Sequence, residues 1–155
     1  MRTVFVAVAF VCGVPALANA AETFTFVART EITNRIVAPV TGSKTIIAQF
    51  SSGRIEVTYP GRKVLSKSEC ATWPAPPGGL FTSNGACVVV DNDSSQYTVV
   101  VSCRVVDDKI TVNDCFGQLT GVSGAYKGKT GTVTWRSTVA EDNKTLTSVG
   151  TGQWT

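Results

Sequence analysis

The chain has 155 residues, a net charge of +3, 16% charged positions and not one histidine. The lack of histidine excludes Ser-His-Asp triads, Cys-His pairs and imidazole-bearing zinc sites, so acid-base chemistry would fall to carboxylate, Tyr, Cys, Lys or Arg side chains. The length fits one domain, and the small positive charge forms no basic stripe for nucleic acid; its nearest grouping, Arg62-Lys63 with Lys67, reads as a solvated loop.

Residues 1–20 have the layout of an export signal: Arg2 supplies the positive start, Val4 to Leu17 an apolar run, and Ala18-Asn19-Ala20 a small-x-small cleavage site. Cleavage after Ala20 is expected, giving a secreted or periplasmic protein whose single domain is residues 21–155. No later stretch approaches the roughly twenty apolar residues of a spanning helix, so no transmembrane segment is expected. Cys12 departs with the signal and leaves Cys70, Cys87, Cys103 and Cys115. An even cysteine count in an exported chain points to disulfides. Of the three connectivities, Cys70–Cys87 with Cys103–Cys115 closes the shortest loops. No pair is spaced C-x-x-C, and neither a metal nor a cofactor is expected.

Period-two alternation dominates the remainder. Thr23 to Arg29 alternates with Phe24, Phe26 and Ala28 on one face. Seven further runs lie at Thr45–Phe50, Arg54–Tyr59, Ala86–Val90, Gln96–Val106, Lys109–Leu119, Thr130–Ala140 and Leu146–Trp154. Turn-forming residues separate them at Ser51-Ser52-Gly53, at 91–95, at Asp107-Asp108 and at 141–144. Short links of this kind imply antiparallel neighbours, and eight such strands predict an all-β barrel or sandwich.

Two stretches break the alternation. Lys67 to Gly85 contains Trp73-Pro74-Ala75-Pro76-Pro77-Gly78-Gly79 and reads as a loop, because prolines cannot join a ladder. Trp73 there is either a ligand-facing aromatic or a plug over the core edge. Gly117 to Gly131 holds five glycines in fifteen residues but lacks the lysine and hydroxyl of a phosphate loop. Glycines at such density suit positive φ and close backbone approach where a sheet bends, with Tyr126 covering a corner.

Leu119-Thr120-Gly121-Val122-Ser123-Gly124-Ala125-Tyr126-Lys127-Gly128-Lys129-Thr130-Gly131-Thr132-Val133 resembles the glycine-rich signature of allene oxide cyclases and, more loosely, dirigent proteins. Thr30-Glu31-Ile32-Thr33-Asn34-Arg35 is similar to the first-strand E-I-N-E-R segment of the cyclases, and Pro39 stands near their proline. The resemblance implies an eight-stranded antiparallel β-barrel of calycin-type architecture with an apolar cavity open at one end, often assembled as a homotrimer. It further implies that Glu31 occupies the place of a glutamate that assists opening of a fatty-acid epoxide. The cyclase asparagine two positions later is Thr33 here, with Asn34 beside it on the opposite face of a regular strand.

On its own chemistry, a carboxylate at the mouth of an apolar barrel would be raised by desolvation and could exchange protons near neutral pH. The alternative for Glu31 is a surface carboxylate paired with Arg29 or Arg35. Glu56 alternates with apolar neighbours and is expected outside. Arg104 and Arg136 either reach into a cavity to hold an acid or face solvent. Phe24, Phe26, Trp135 and Trp154 either line a pocket or fill a core, both being possible in a barrel of this size. The ligand-binding candidates are therefore Phe24, Phe26, Trp73, Arg104, Tyr126 and Trp135, and the catalytic candidates are Glu31, Thr33 and Asn34. Three functions fit. The first is an exported barrel that binds a hydrophobic small molecule, with or without cofactor-free cyclase or isomerase activity. The second is a non-enzymatic, lipocalin-like carrier, and the third an inhibitor that uses the proline-rich loop 67–85.

Overall fold

Eight strands, each antiparallel to its neighbours, close on themselves in chain order in the computed structural model. It describes residues 21–40, 43–107, 109 and 111–155; the expected export signal and Cys12 lie outside them. The strands are β1 (Glu22–Val40), β2 (Ser43–Tyr59), β3 (Arg62–Pro74), β4 (Ser83–Asp91), β5 (Gln96–Val105), β6 (Val112–Ser123), β7 (Thr130–Val139) and β8 (Thr145–Trp154). Closure comes from β1 pairing with β8 over Glu22–Glu31, which leaves the barrel body without a free edge. Beyond Glu31, β1 continues with β2 as a two-stranded ribbon.

The expected strand count is right, but two of the expected strands are one and a third was missed. Ser51-Ser52-Gly53 is not a turn; it runs through the middle of β2. Gly53 is required there because a Cβ would sit 2.5 Å from the Thr30 Cα across the β1–β2 ladder. Lys67 to Trp73, expected in a loop, belongs to β3. Its inward residues Ser66 and Ser68 are buried but polar, so alternation of hydrophobicity gave no signal. The loop proper is Ala75 to Thr82, and the prolines after Pro74 enforce the end of β3. β1 and β2 are also longer than expected, and β6 starts at Val112 rather than Lys109.

Both expected disulfides form, Cys70–Cys87 and Cys103–Cys115. Each joins residues directly opposite in a ladder, across β3–β4 and β5–β6, with Cα atoms 4.0 and 4.1 Å apart. The first therefore clasps a hairpin in register rather than merely pinning the ends of a loop. Among the described residues, no helix is long and apolar enough to cross a membrane.

The core is concentrated at the end of the barrel where β1 begins and β8 finishes. Tyr59, Tyr97, Tyr126, Trp154 and Phe24 meet there above Val57, Val89, Val99, Leu119 and Val133. Tyr126 stacks on Trp154 with ring centroids 4.8 Å apart, and Tyr97 meets Trp154 edge-on at 5.3 Å. A polar chain threads the aromatics: Trp154 Nε1–H donates to the Tyr59 hydroxyl at 3.2 Å, which lies 3.3 Å from that of Tyr126. Tyr126 in turn donates to Asp91 Oδ2 at 2.5 Å, and Ser66 donates to Asp91 Oδ1 at 2.6 Å. Burial pushes the Tyr97 and Tyr126 phenols far up, so both stay protonated. At the outer edge of this plug, Glu22 bonds Arg62 at 2.7 Å, and that hydrogen bond holds its carboxyl below the ordinary range.

Tyr126 owes its position to the glycine-rich stretch. A single turn of 3₁₀ helix, Gly124–Tyr126, folds back over the barrel end. Its start is fixed by Ser95 Oγ accepting from the Ala125 N–H at 2.9 Å. The Tyr126 carbonyl then lies where a Cβ on Gly121 would have to be. Gly121→Ala should therefore destabilise the fold by about 3 kcal/mol or more in urea unfolding. Gly128→Ala meets open space but has φ +79°, so its loss should be about 1 kcal/mol; equal losses would contradict this reading. Replacing Cys70 and Cys87 together by Ala should cost about 3 kcal/mol in the same assay.

Candidate functional site

The other half of the barrel interior is not filled. A cavity of about 160 Å³ runs from the aromatic plug to the far rim. Its floor and walls are apolar: Phe24, Phe26, Ile55, Val57, Val89, Tyr97, Val99, Val101, Leu119, Val133 and Trp135. Both disulfides form part of the wall. Small residues leave the space, since Ala28, Ser137 and Ser148 occupy inward positions that larger side chains would fill. Gly150 on β8 makes room for the aromatic wall; a Cβ there would lie 2.7 Å from the Phe26 ring and 2.5 Å from the Trp135 Cβ.

Polar groups in this interior fall into three sets. Trp135 Nε1–H donates to Ser137 Oγ at 3.0 Å, and Ser137 Oγ lies 2.7 Å from Ser148 Oγ, which locks the indole against the wall. Toward the rim stand Thr30, Ser51, Thr72 and Gln49. The third set is Ser68 alone. It stands opposite Gly53 on β2 and Val89 on β4, it is 3% exposed, and its hydroxyl is the one buried side-chain polar atom without a hydrogen-bond partner among the described residues.

Of the six expected ligand-binding residues, Phe24, Phe26 and Trp135 line this cavity. Trp73 does not: it lies out of phase with the cavity-facing Cys70 and Thr72 and is 43% exposed. Arg104 is also outside, where it shares Asp114 with Arg136. Arg136 donates to both Asp114 oxygens, at 2.8 and 3.1 Å, and holds that carboxyl below its ordinary range. Tyr126 belongs to the plug. Glu56 is on the outer face, paired with Lys63.

The structure places the three catalytic candidates outside the cavity lining. Thr30 faces the cavity, so the strand period turns Glu31 outward, and Glu31 is exposed. Thr33 and Asn34 are exposed as well. No carboxylate among the described residues belongs to the cavity lining. Among the described residues, no group of three or more Cys, Asp or Glu side chains is arranged to hold a metal ion.

One residue near the site was passed over in sequence, where it figured only as a partner for Glu31. Between Ile32 and Asn34 the β1–β2 register shifts, Ile32 facing Ser51 and Asn34 facing Phe50. One extra residue in β1 reverses the phase of the residues beyond it. Arg35 thus stands opposite Gln49, on the side that Gln49 presents to the cavity. Its Nε–H donates to Gln49 Oε1 at 3.0 Å, and its Nη2 donates to the Asn143 carbonyl in the β7–β8 loop at 2.7 Å. The side chain therefore crosses the rim. Strict alternation from Phe24 sends Arg35 outward, and a bulge of this kind has no signature in residue type.

No protein-family model and no curated protein matches this chain.

Proposed function

We propose that the barrel holds a small, largely apolar molecule in its interior, ring or chain against the aromatic wall, with one hydrogen-bonding atom at its inner end. The observation behind this reading is the hollow, apolar interior, one of whose lining residues, Ser68, carries a buried hydroxyl with no partner among the described residues. Leaving such a group unsatisfied costs about 1–3 kcal/mol, a cost that a bound hydroxyl or carbonyl would offset. The size is suitable, since an apolar cavity of about 150 Å³ accepts a benzene ring. The two disulfides fit an oxidising compartment, and the exported protein suggested by residues 1–20 is part of the proposal. Binding, rather than cyclisation, is the activity supported: the carboxylate on which a cyclase mechanism would rest faces solvent, and the wall itself offers hydroxyls, sulfurs and aromatic faces.

Titration with 4-ethylphenol and with ethylbenzene tests it, read by tryptophan fluorescence, to which Trp135 in the wall contributes, and by the thermal midpoint. Both probes should bind and raise the midpoint by ligand linkage, the phenol more tightly. Ser68→Ala should weaken 4-ethylphenol about two- to tenfold, one neutral hydrogen bond, and leave ethylbenzene unchanged. Failure of both probes to bind at millimolar concentration would overturn the reading. Glu31→Gln should leave binding of both unchanged and stability within about 0.5 kcal/mol, as expected of an exposed position; a large loss of probe affinity would return Glu31 to the site.

A further inference from the structure

We propose that the ligand is a compact organic acid, its apolar body inside the barrel and its carboxylate held by Arg35 at the rim. This rests on the reading of the interior as a binding site and adds the chemical class of the molecule that enters it.

Three observations carry it. First, the guanidinium is fixed in place without being neutralised. Its two hydrogen bonds go to an amide oxygen of Gln49 and a backbone carbonyl of Asn143, which leaves further N–H donors of the five for another acceptor. No carboxylate pairs with Arg35 among the described residues. The acid next to Asn143 is already engaged: Asp142 accepts from the Lys144 and Thr145 N–H groups and from the Thr145 hydroxyl, which holds its carboxyl below the ordinary range.

Second, the guanidinium touches the cavity lining itself. Gln49 lines the cavity and binds Arg35 through the same side chain, so a group emerging past Gln49 meets the cation. A planar carboxylate matches the paired donors of a guanidinium, and such charge-assisted bonds are about twice as strong as neutral ones.

Third, polarity rises along the interior. Apolar walls surround the deep end, the hydroxyls of Thr30, Ser51 and Thr72 and the Gln49 amide stand near the rim beside Leu146, and the cation lies beyond them. From Ser68 to Thr72 is four residues of β3, about 13 Å along the strand. At the usual tilt of barrel strands this is roughly 10 Å along the axis. A ring with a short chain spans that length. A long acyl chain exceeds a cavity of about 160 Å³.

The probes are 3-(4-hydroxyphenyl)propionate and its primary amide, titrated into the full-length protein and into Arg35→Gln and Arg35→Lys, with 4-ethylphenol as the reference for the interior. The acid should bind the unaltered protein at least about tenfold more tightly than the amide. Arg35→Gln should remove that difference by weakening the acid alone, and Arg35→Lys should shrink it while keeping its sign. Added salt should weaken the acid and not the amide. Equal affinities for acid and amide, or a preference that survives Arg35→Gln, would overturn the role of Arg35. If 4-ethylphenol binds and the acid does not, the acid proposal fails while the interior reading stands. If none of the three binds, both fail.

Discussion

An eight-stranded barrel encloses a fixed and narrow interior, just wide enough to be filled by side chains. What the inward positions carry therefore decides whether the molecule is solid or hollow, and this chain does both. At one end Phe24, Tyr59, Tyr97, Tyr126 and Trp154 meet and seal the axis. At the other, Ala28, Ser137, Ser148 and the two cystines are too small to meet across it. The plug supplies the packed core on which closure depends, and with that stability in hand the remaining interior can stay open.

The plug is itself built around polar atoms that have to be satisfied. Two tyrosine hydroxyls, an indole N–H, a serine and the Asp91 carboxyl form one connected chain. Its geometry depends on the 3₁₀ turn that delivers Tyr126, and so on the close approach of that turn to Gly121. A glycine-rich run that could be taken for a loop over a ligand instead closes the bottom of the barrel. The two disulfides do the corresponding work along the wall, since each fixes the register of one hairpin at the depth of the cavity.

Much of this was legible in the residues. Alternation over β1 and β7 reads directly, because apolar or small inward residues are separated by mostly charged or hydroxylic outward ones; β4, β5 and β8 read as strands from their Val and Thr content, although Val88, Val90, Val100 and Val149 face outward. Short loop length favoured the observed cysteine pairing among three possible ones. β3 was hidden because it turns serines inward, and the middle of β2 was mistaken for a turn because Ser-Ser-Gly serves equally well where two backbones press together. At the site, the aromatic wall was anticipated in Phe24, Phe26 and Trp135. Glu31 and Arg35 differ in how legible their positions were: alternation from Phe24, Phe26 and Ala28 already turns Glu31 outward, whereas Arg35 lies beyond the bulge after Ile32. The glutamate keeps the outward phase of the regular strand, and the arginine is turned toward the rim. A phase change is a property of the ladder, formed with Gln49 and Phe50 more than a dozen residues away, and no local pattern announces it.

Occupancy of the hollow half of the barrel is read directly in a nuclear Overhauser spectrum of methyl-labelled protein with added 4-ethylphenol. A ligand inside the barrel gives contacts from its ring protons to the methyl groups of Val57, Val99 and Leu119, which line the cavity. Contacts confined to exposed side chains such as Leu80 and Phe116 on the outer surface would contradict that occupancy.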